Sequence, residues 1–167
     1  LRKVFPQQEQ ALPEGWKWVK LGEVCDLNPK RLPLGRSDCI PTTFVPMPAV
    51  DAITGTIARP QVRPYGEIKK GYTYFAEGDV LFAKITPCMQ NGKHAIANAL
   101  IDSIGFGSTE FHVIRPSINI TAEWIHSYLR QPSVLRAAMA HFTGAVGQQM
   151  VPDDYVASLT IPLPPLP

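Results

Sequence analysis

Apolar positions follow two rhythms along the chain. As far as about residue 116 they come in short runs or alternate with period two; beyond it they recur at helical spacing. Residues 16–21 (WKWVKL) interleave aromatic and basic side chains and predict an edge strand, and residues 21–27 predict one short helical turn. Residues 28–41 are turn-rich. A strand over 43–50 would be confined to a sheet edge by Pro46 and Pro48. Thr54-Gly55 marks a turn within 51–56. The strongest strand signal is 79–85 (DVLFAKI), introduced by Gly78. Further strands are expected at 93–97 and at 109–115 (TEFHVIR), the second alternating cleanly. Then Trp124, Ile125, Tyr128 and Leu129 line one face of a helix over 121–130, with Thr121 as its N-cap. Val134, Leu135, Ala138 and Met139 repeat the pattern over 133–142, with Gly144 as a stop signal. A last helical turn is expected at 153–157, started by Pro152. Strands first, helices later and an extended exit predict an α+β fold: a single compact domain with a twisted, mostly antiparallel sheet in its N-terminal part and helices in its C-terminal part.

Composition narrows the class. The 167 residues suit one domain, and 45% hydrophobic content with a net charge of +2 excludes a mostly disordered chain. No apolar run nears the ~20 residues of a membrane helix. Seventeen prolines argue for short elements and against a coiled coil. Residues 1–11 are polar and broken by Pro6, so they read as a linker; 12–160 read as the folded domain; IPLPPLP (161–167) reads as an extended exit. Together they suggest a module of a longer protein. Cys25, Cys39 and Cys88 form no C-x-x-C pair, and His94, His112, His126 and His141 lack ligand spacing. Buried, reduced thiols in a cytoplasmic protein, with no metal, are the expectation.

Charge is uneven. Residues 1–93 hold 13 Lys and Arg against 9 Asp and Glu, a balance of +4, whereas 94–167 carry −2. Arg59, Arg63, Lys69, Lys70, Lys84 and Lys93 are interleaved with Tyr65, Tyr72, Tyr74 and Phe75. Such a mixture suits phosphates and bases, although an ordinary solvated face has the same composition. Catalytic signatures are missing: there is no dinucleotide or Walker loop, Gly105-Phe106-Gly107 is too short for one, and no nucleophile elbow occurs. An adenine methyltransferase's Asp/Asn-Pro-Pro-aromatic tetrapeptide is also absent. Two thin patterns remain: Asp51 with Glu67-Ile68-Lys69, as in metal-dependent nucleases, and a Cys88–His94 pair without an orienting third group.

Six segments make a more specific pattern. They are LPEGWKWVKLGEV (12–24), FAEGDVLFAKITPCMQNGK (75–93), GFGSTEFHVIRP (105–116), AEWIHSYL (122–129), TGAVGQQMVPDDYV (143–156) and IPLPPLP (161–167). In this order they resemble the target recognition domain of the specificity subunit of type I restriction–modification systems. The family's usual glutamate before Asn-Gly-Lys is Gln90 here, and its long helices are absent from these 167 residues. Residues 1–11 resemble the tail of a preceding conserved helical region, which favours the second recognition domain of a subunit.

The resemblance implies a non-catalytic module that binds double-stranded DNA and reads one half of a bipartite site. Modification subunits would methylate adenine with S-adenosylmethionine; restriction subunits would add ATP- and Mg-dependent translocation and cleavage; this chain would bind no cofactor. A recognition domain fused to its own methyltransferase and a small nuclease are the competing readings. In the loop after 79–85, Thr86, Gln90, Asn91 and Lys93 have the groups to meet base edges. The same Asn91-Gly92 would equally suit a type I′ hairpin turn. Ser108 and Thr109, beside Glu110, join the base-contact candidates, as do Gln148 and Gln149 in the Gly-Gln loop. Arg59, Arg63, Lys69, Lys70 and Lys84 are candidates for phosphate. Trp16, Trp18 and Trp124 are expected in the core or at a domain interface.

Overall fold

In the computed structural model, the structure describes residues 11–165. The expected linker, apart from Ala11, and the last two residues of the exit run lie outside them. The strands and helices follow in chain order as β1 (Lys17–Lys20), α1 (Leu21–Val24), β2 (Cys25–Leu27), β3 (Pro41–Val45), β4 (Val50–Asp51), β5 (Thr56–Ile57), β6 (Gln61–Pro64), α2 (Tyr65–Ile68), β7 (Thr73–Ala76), β8 (Val80–Ala83), β9 (His94–Ile96), β10 (Ile104–Gly107), β11 (Phe111–Pro116), α3 (Ala122–Leu129), α4 (Pro132–Met139), α5 (Asp153–Ser158) and β12 (Thr160–Leu163). The fold is α+β, with its longer helices between β11 and β12.

The expected, mostly antiparallel strands are divided between two four-stranded sheets. One has the order β2-β11-β8-β9 and the other β6-β3-β10-β7. Every pairing within them is antiparallel except β10 with β3. A three-residue turn, Ser108 to Glu110, carries the chain from β10 in one sheet to β11 in the other. Two short ribbons, β1-β12 and β4-β5, complete the topology.

Burial explains the strength of the 79–85 signal. Val80 and Phe82 face a core closed by α1, α3, α4, α5, β1 and β12, while Leu81 and Ala83 face a second core shared with Val45 and Phe75 of the other sheet. A strand buried on both faces needs a continuous apolar run. β11 is buried on both faces too: Phe111 and Val113 point into the second core, His112 and Ile114 into the first. Its polar-looking alternation therefore marks a buried histidine and not a solvated face. Beyond the second sheet, Phe44 and Phe106 pack with Tyr65 and Ile68 of α2. At the far end of β8, buried Asp79 takes two hydrogen bonds from Arg115, at 2.8 and 2.7 Å, and a third from the Ala76 N–H.

Several expectations need correction. The strand expected at 43–50 is β3, which lies between β6 and β10 and is no edge; it stops at Val45, so the prolines fall outside it. The 21–27 turn is helical only to Val24 and continues as β2. α4 ends at Met139, so Gly144 does not stop it. Gly105-Phe106-Gly107 belongs to β10, where a Cβ on either glycine would collide with the Phe75 ring or the Val45 carbonyl. Thr121 does cap α3, its hydroxyl accepting from Trp124 N–H at 3.2 Å. Trp124 donates from its indole to the Pro162 carbonyl at 2.8 Å and meets the Trp16 ring edge-on. The cysteines are free, but only Cys25 is buried; Cys39 is exposed.

Candidate nucleic-acid interface

Strand register places several loops at one end of both sheets. β8 leads out of Ala83 into 84–93, and β11 enters beside it at Phe111, after the 108–110 turn. In the other sheet Val45 pairs with Gly107 at that same end, so residues 46–60 also leave and return there. Residues 149–151 join them. Thr86 N–H donates to the Gln149 carbonyl at 3.1 Å, and Val151 N–H to the Lys84 carbonyl at 2.8 Å. Thr86, Gln90, Asn91, Lys93, Ser108, Thr109, Gln148, Gln149, Lys84 and Arg59 thus share one end of the fold.

The 84–93 loop is no hairpin. Met89 and Asn91 donate to the carbonyls four residues back, forming a turn of helix. It is closed by Lys93 N–H on the Cys88 carbonyl and Gly92 N–H on the Met89 carbonyl, both 3.2 Å, with Gly92 at φ +83°. That bond pair and the left-handed glycine make a Schellman end. Asn91 has no positive φ, so the type I′ turn expected from Asn-Gly does not form. The sequence signal was a glycine demand, and helix termini share it with hairpins.

His94 holds this loop from behind. It is fully buried and stacked on Phe82, with centroids 4.2 Å apart. Its Nδ1 accepts from Ala83 N–H at 2.9 Å and its Nε2 lies 2.9 Å from the Met89 carbonyl. Because Nδ1 is an acceptor, Nε2 carries the proton and donates it. Burial pushes the His94 pKa down to about 3, which keeps the ring neutral. Burial also pushes the Cys88 thiol up, so the pair has neither a free base nor an activated nucleophile.

His112 serves the neighbouring loop in the same way. Its Nε2 meets the Val151 carbonyl at 2.7 Å, and Nδ1 takes a 3.3 Å bond from Asn28. Asn28 meanwhile pairs with Val113 like a strand residue, through its own N–H at 2.7 Å and its side-chain oxygen at 2.8 Å.

Arg130, following α3, reaches across to a third segment. Its Nη2 donates to the Ala52 and Ile53 carbonyls at 2.9 and 3.0 Å, and its Nε to the Gly92 carbonyl at 3.4 Å. Lys93 Nζ lies 3.5 Å from the Met47 carbonyl. Between the loops opens a cleft of about 350 Å³ lined by Gln90, Asn91, Arg130 and Arg136. Gln90 donates to the Thr86 hydroxyl at 2.6 Å, while its Oε1 is buried without a partner among the described residues. Asn91, Thr109 and Gln148 are exposed. Ser108 Oγ accepts from Glu110 N–H at 3.2 Å.

The basic candidates divide. Arg59 and Lys70 are exposed. Arg63 is ion-paired with Glu67 at 3.2 Å and covers the Phe44 ring; Lys69 is paired with Asp38 at 2.7 Å. Both sit against α2, away from the shared loop end. The nuclease pattern is consumed by local bonds, since Asp51 accepts from the Ile53 and Thr54 N–H groups and Glu67 holds Arg63. Among the described residues no three His, Cys, Asp or Glu side chains stand together as a metal site. No helix among them is long and apolar enough to cross a membrane. Residues that sequence reasoning missed are those whose partners are distant: Arg130, His112 and Asn28.

Comparison with known proteins adds the following. Residues 13–167 match the family described as type I restriction modification DNA specificity domain. The chain is 39% identical over 155 residues to the EcoEI type I restriction enzyme specificity subunit of Escherichia coli, covering 92% of this chain and 26% of that protein. It is 38% identical over 157 residues to the EcoAI specificity subunit of the same organism, covering 93% and 26%. The chain therefore spans about a quarter of the length of these relatives. The HsdS subunit from Thermoanaerobacter tengcongensis matches with a TM-score of 0.72 at 29% identity, over 95% of this chain and 40% of that one. A chain from a structural study of assembly and conformational transition in the type I R-M system matches with a TM-score of 0.73 at 29% identity, covering 93% and 40%.

Proposed function

The chain belongs to the family of type I restriction–modification DNA specificity domains, and from that premise we propose that it reads one half of a bipartite DNA target and does no chemistry itself. Methylation with S-adenosylmethionine then falls to modification subunits, and ATP- and Mg-dependent cleavage to restriction subunits; the chain binds no cofactor and acts in the cytoplasm. One observation carries the reading. Loops from both sheets and from the segment before α5 meet at one end, are fixed from behind by His94, His112 and Arg130, and leave Asn91, Thr109 and Gln148 exposed. Rigid support behind outward groups, as behind Asn91, is what base-edge readout requires, with the exposed Gln148 beside it. Arg59, Lys84 and Lys93 supply positive charge at the same end for phosphate. Lys70 offers a further exposed amine; Arg63 and Lys69 would have to leave carboxylates to serve phosphate.

The test is methylation mapping with the assembled complex. Asn91→Ala or Gln148→Ala should make one position of one half-site degenerate, since a good base contact discriminates by ~1–3 kcal/mol. Arg59→Ala should weaken all sequences alike and flatten the salt dependence by about one counterion. Variants that keep the full motif at full strength would remove these loops from the interface. Methylated or cut DNA after incubating the chain alone with S-adenosylmethionine and Mg²⁺ would refute the non-catalytic role.

A further inference from the structure

Ile53 stands at the tip of the turn between β4 and β5, and 90% of its surface is exposed. Exposed isoleucines are ordinary; one on a scaffold this tightly made is not. Asp51 Oδ1 accepts from Ile53 N–H at 2.9 Å, Thr54 N–H at 2.8 Å and the Thr54 hydroxyl at 3.1 Å. Gly55 N–H returns to the Asp51 carbonyl at 2.9 Å. From the other side Arg130 holds the carbonyl of Ile53 itself at 3.0 Å and that of Ala52 at 2.9 Å. Gly55 is buried against the Arg130 guanidinium, where any Cβ would collide with it. The turn thus offers a stiff β-branched side chain to solvent with little motion left to lose on binding.

Its surroundings choose the ligand. Ala52, next to Ile53, lines the same cleft as Gln90, Asn91, Arg130 and Arg136, whose lining has two arginines and no acid. Among the described residues Arg130 bonds only carbonyls there, and no carboxylate pairs with its charge. The turn's own acid, Asp51, spends its carboxylate on the turn and faces the charge of Lys93. An apolar tip beside uncompensated guanidinium and amide groups suits a DNA major groove, where thymine is the base that presents a methyl group. We propose that the 51–55 turn is a reading finger on which Ile53 packs against the 5-methyl group of one thymine, beside the bases met by the 86–93 loop. The assignment rests on DNA being the ligand of this domain.

The experiment uses the complete specificity subunit assembled with its methyltransferase partner and competition binding to duplexes. Each thymine of the half-site is replaced singly by uracil, which removes only the methyl. For the wild type, one replacement should cost about fourfold in affinity, the value of one buried methyl. Ile53→Ala should bind the natural duplex about as weakly as the wild type binds that uracil duplex, and should be indifferent to the replacement. Ile118→Ser is the control: it is 97% exposed but follows the opposite end of β11, and it should keep the sensitivity. Equal uracil costs in wild type and Ile53→Ala, or a half-site without an A·T pair, would overturn the proposal. A complex that selects no defined sequence would instead overturn the DNA-reading function beneath it. Unchanged melting temperature in Ile53→Ala separates lost contact from lost fold.

Discussion

The 84–93 and 143–150 segments touch along a short stretch of main chain, yet they are held in different ways. The first is fastened by side chains behind it: buried His94 joins its Met89 carbonyl to the Ala83 N–H at the end of β8, and Arg130 grips its Gly92 carbonyl. The second is fastened at its base chiefly by main chain, where Thr143 and Met150 exchange two hydrogen bonds of 2.9 Å and the Thr143 hydroxyl lies 3.5 Å from the Met150 carbonyl; His112 holds only the Val151 carbonyl just beyond it. Residues 143–148 are all exposed, Val146 by 98%, and Gly144 and Gly147 have φ values of +106° and +90°. Preorganised and adaptable surfaces thus stand side by side. A change behind the first loop should disturb fold and readout together, whereas a change on the second should alter readout with little cost to the fold.

The largest expected effect comes from His94→Ala. It leaves the Ala83 N–H and Met89 carbonyl without partners and empties the space beside Phe82, at a cost of about 2–4 kcal/mol. For a domain of this size that lowers the melting temperature by roughly 4–16 °C. Gln148→Ala should leave it unchanged, and equal melting of the two variants would break the comparison.

Acid gives the next effect. The folded His94 pKa of about 3 lies below the unfolded value near 6.5, so the unfolded chain binds the extra proton first. Stability is complete above about pH 6.5 and is lost as pH falls toward 3, by up to ~1.4 kcal/mol per unit. His112, lowered chiefly by its burial, acts in the same direction. Urea midpoints at pH 7 and 5 should show the loss in the wild type and a smaller one in His94→Ala. A pH-independent midpoint would contradict a buried neutral ring.

Arg130→Ala should cost about 1–2 kcal/mol by freeing three carbonyls. More telling is where it acts: amide exchange should quicken across 51–55 and 89–93 and stay unchanged at 145–148. Uniform acceleration would show that the segments are not separately supported. Gly147→Ala should have the smallest effect, about 1 kcal/mol from its left-handed φ, because nothing lies within 4 Å of the added Cβ. Melting of this variant and mapping of its methylated motif would sharpen the contrast, with the motif expected to change more than the stability.

Local patterns showed themselves in the sequence where one physical demand dominated. β8 was readable because both its faces are buried, and α3 because Thr121 caps it and its apolar face follows helical spacing. β10 was unreadable because its glycines serve the Phe75 ring and the Val45 carbonyl, a contact that joins distant residues. β3 resembles an edge strand in sequence only because Pro46 and Pro48 follow its last residue, Val45, without a break in the apolar pattern. At the interface the sequence pointed to the loops but not to their supports. A histidine that bonds backbone in a core looks the same in sequence as one poised for catalysis, and Arg130 shows no local sign that it will meet carbonyls 77 and 78 residues away.

The β1-β12 ribbon has a consequence of another kind. The strand that opens the described fold lies against the one that closes it, with Lys17 opposite Leu163 and Lys20 opposite Thr160. The entry and the exit of the described fold are therefore neighbours, like two prongs of one plug. Any sequence of the same architecture between those two strands would keep the distance between the prongs, so the loops at the far side can vary without moving them.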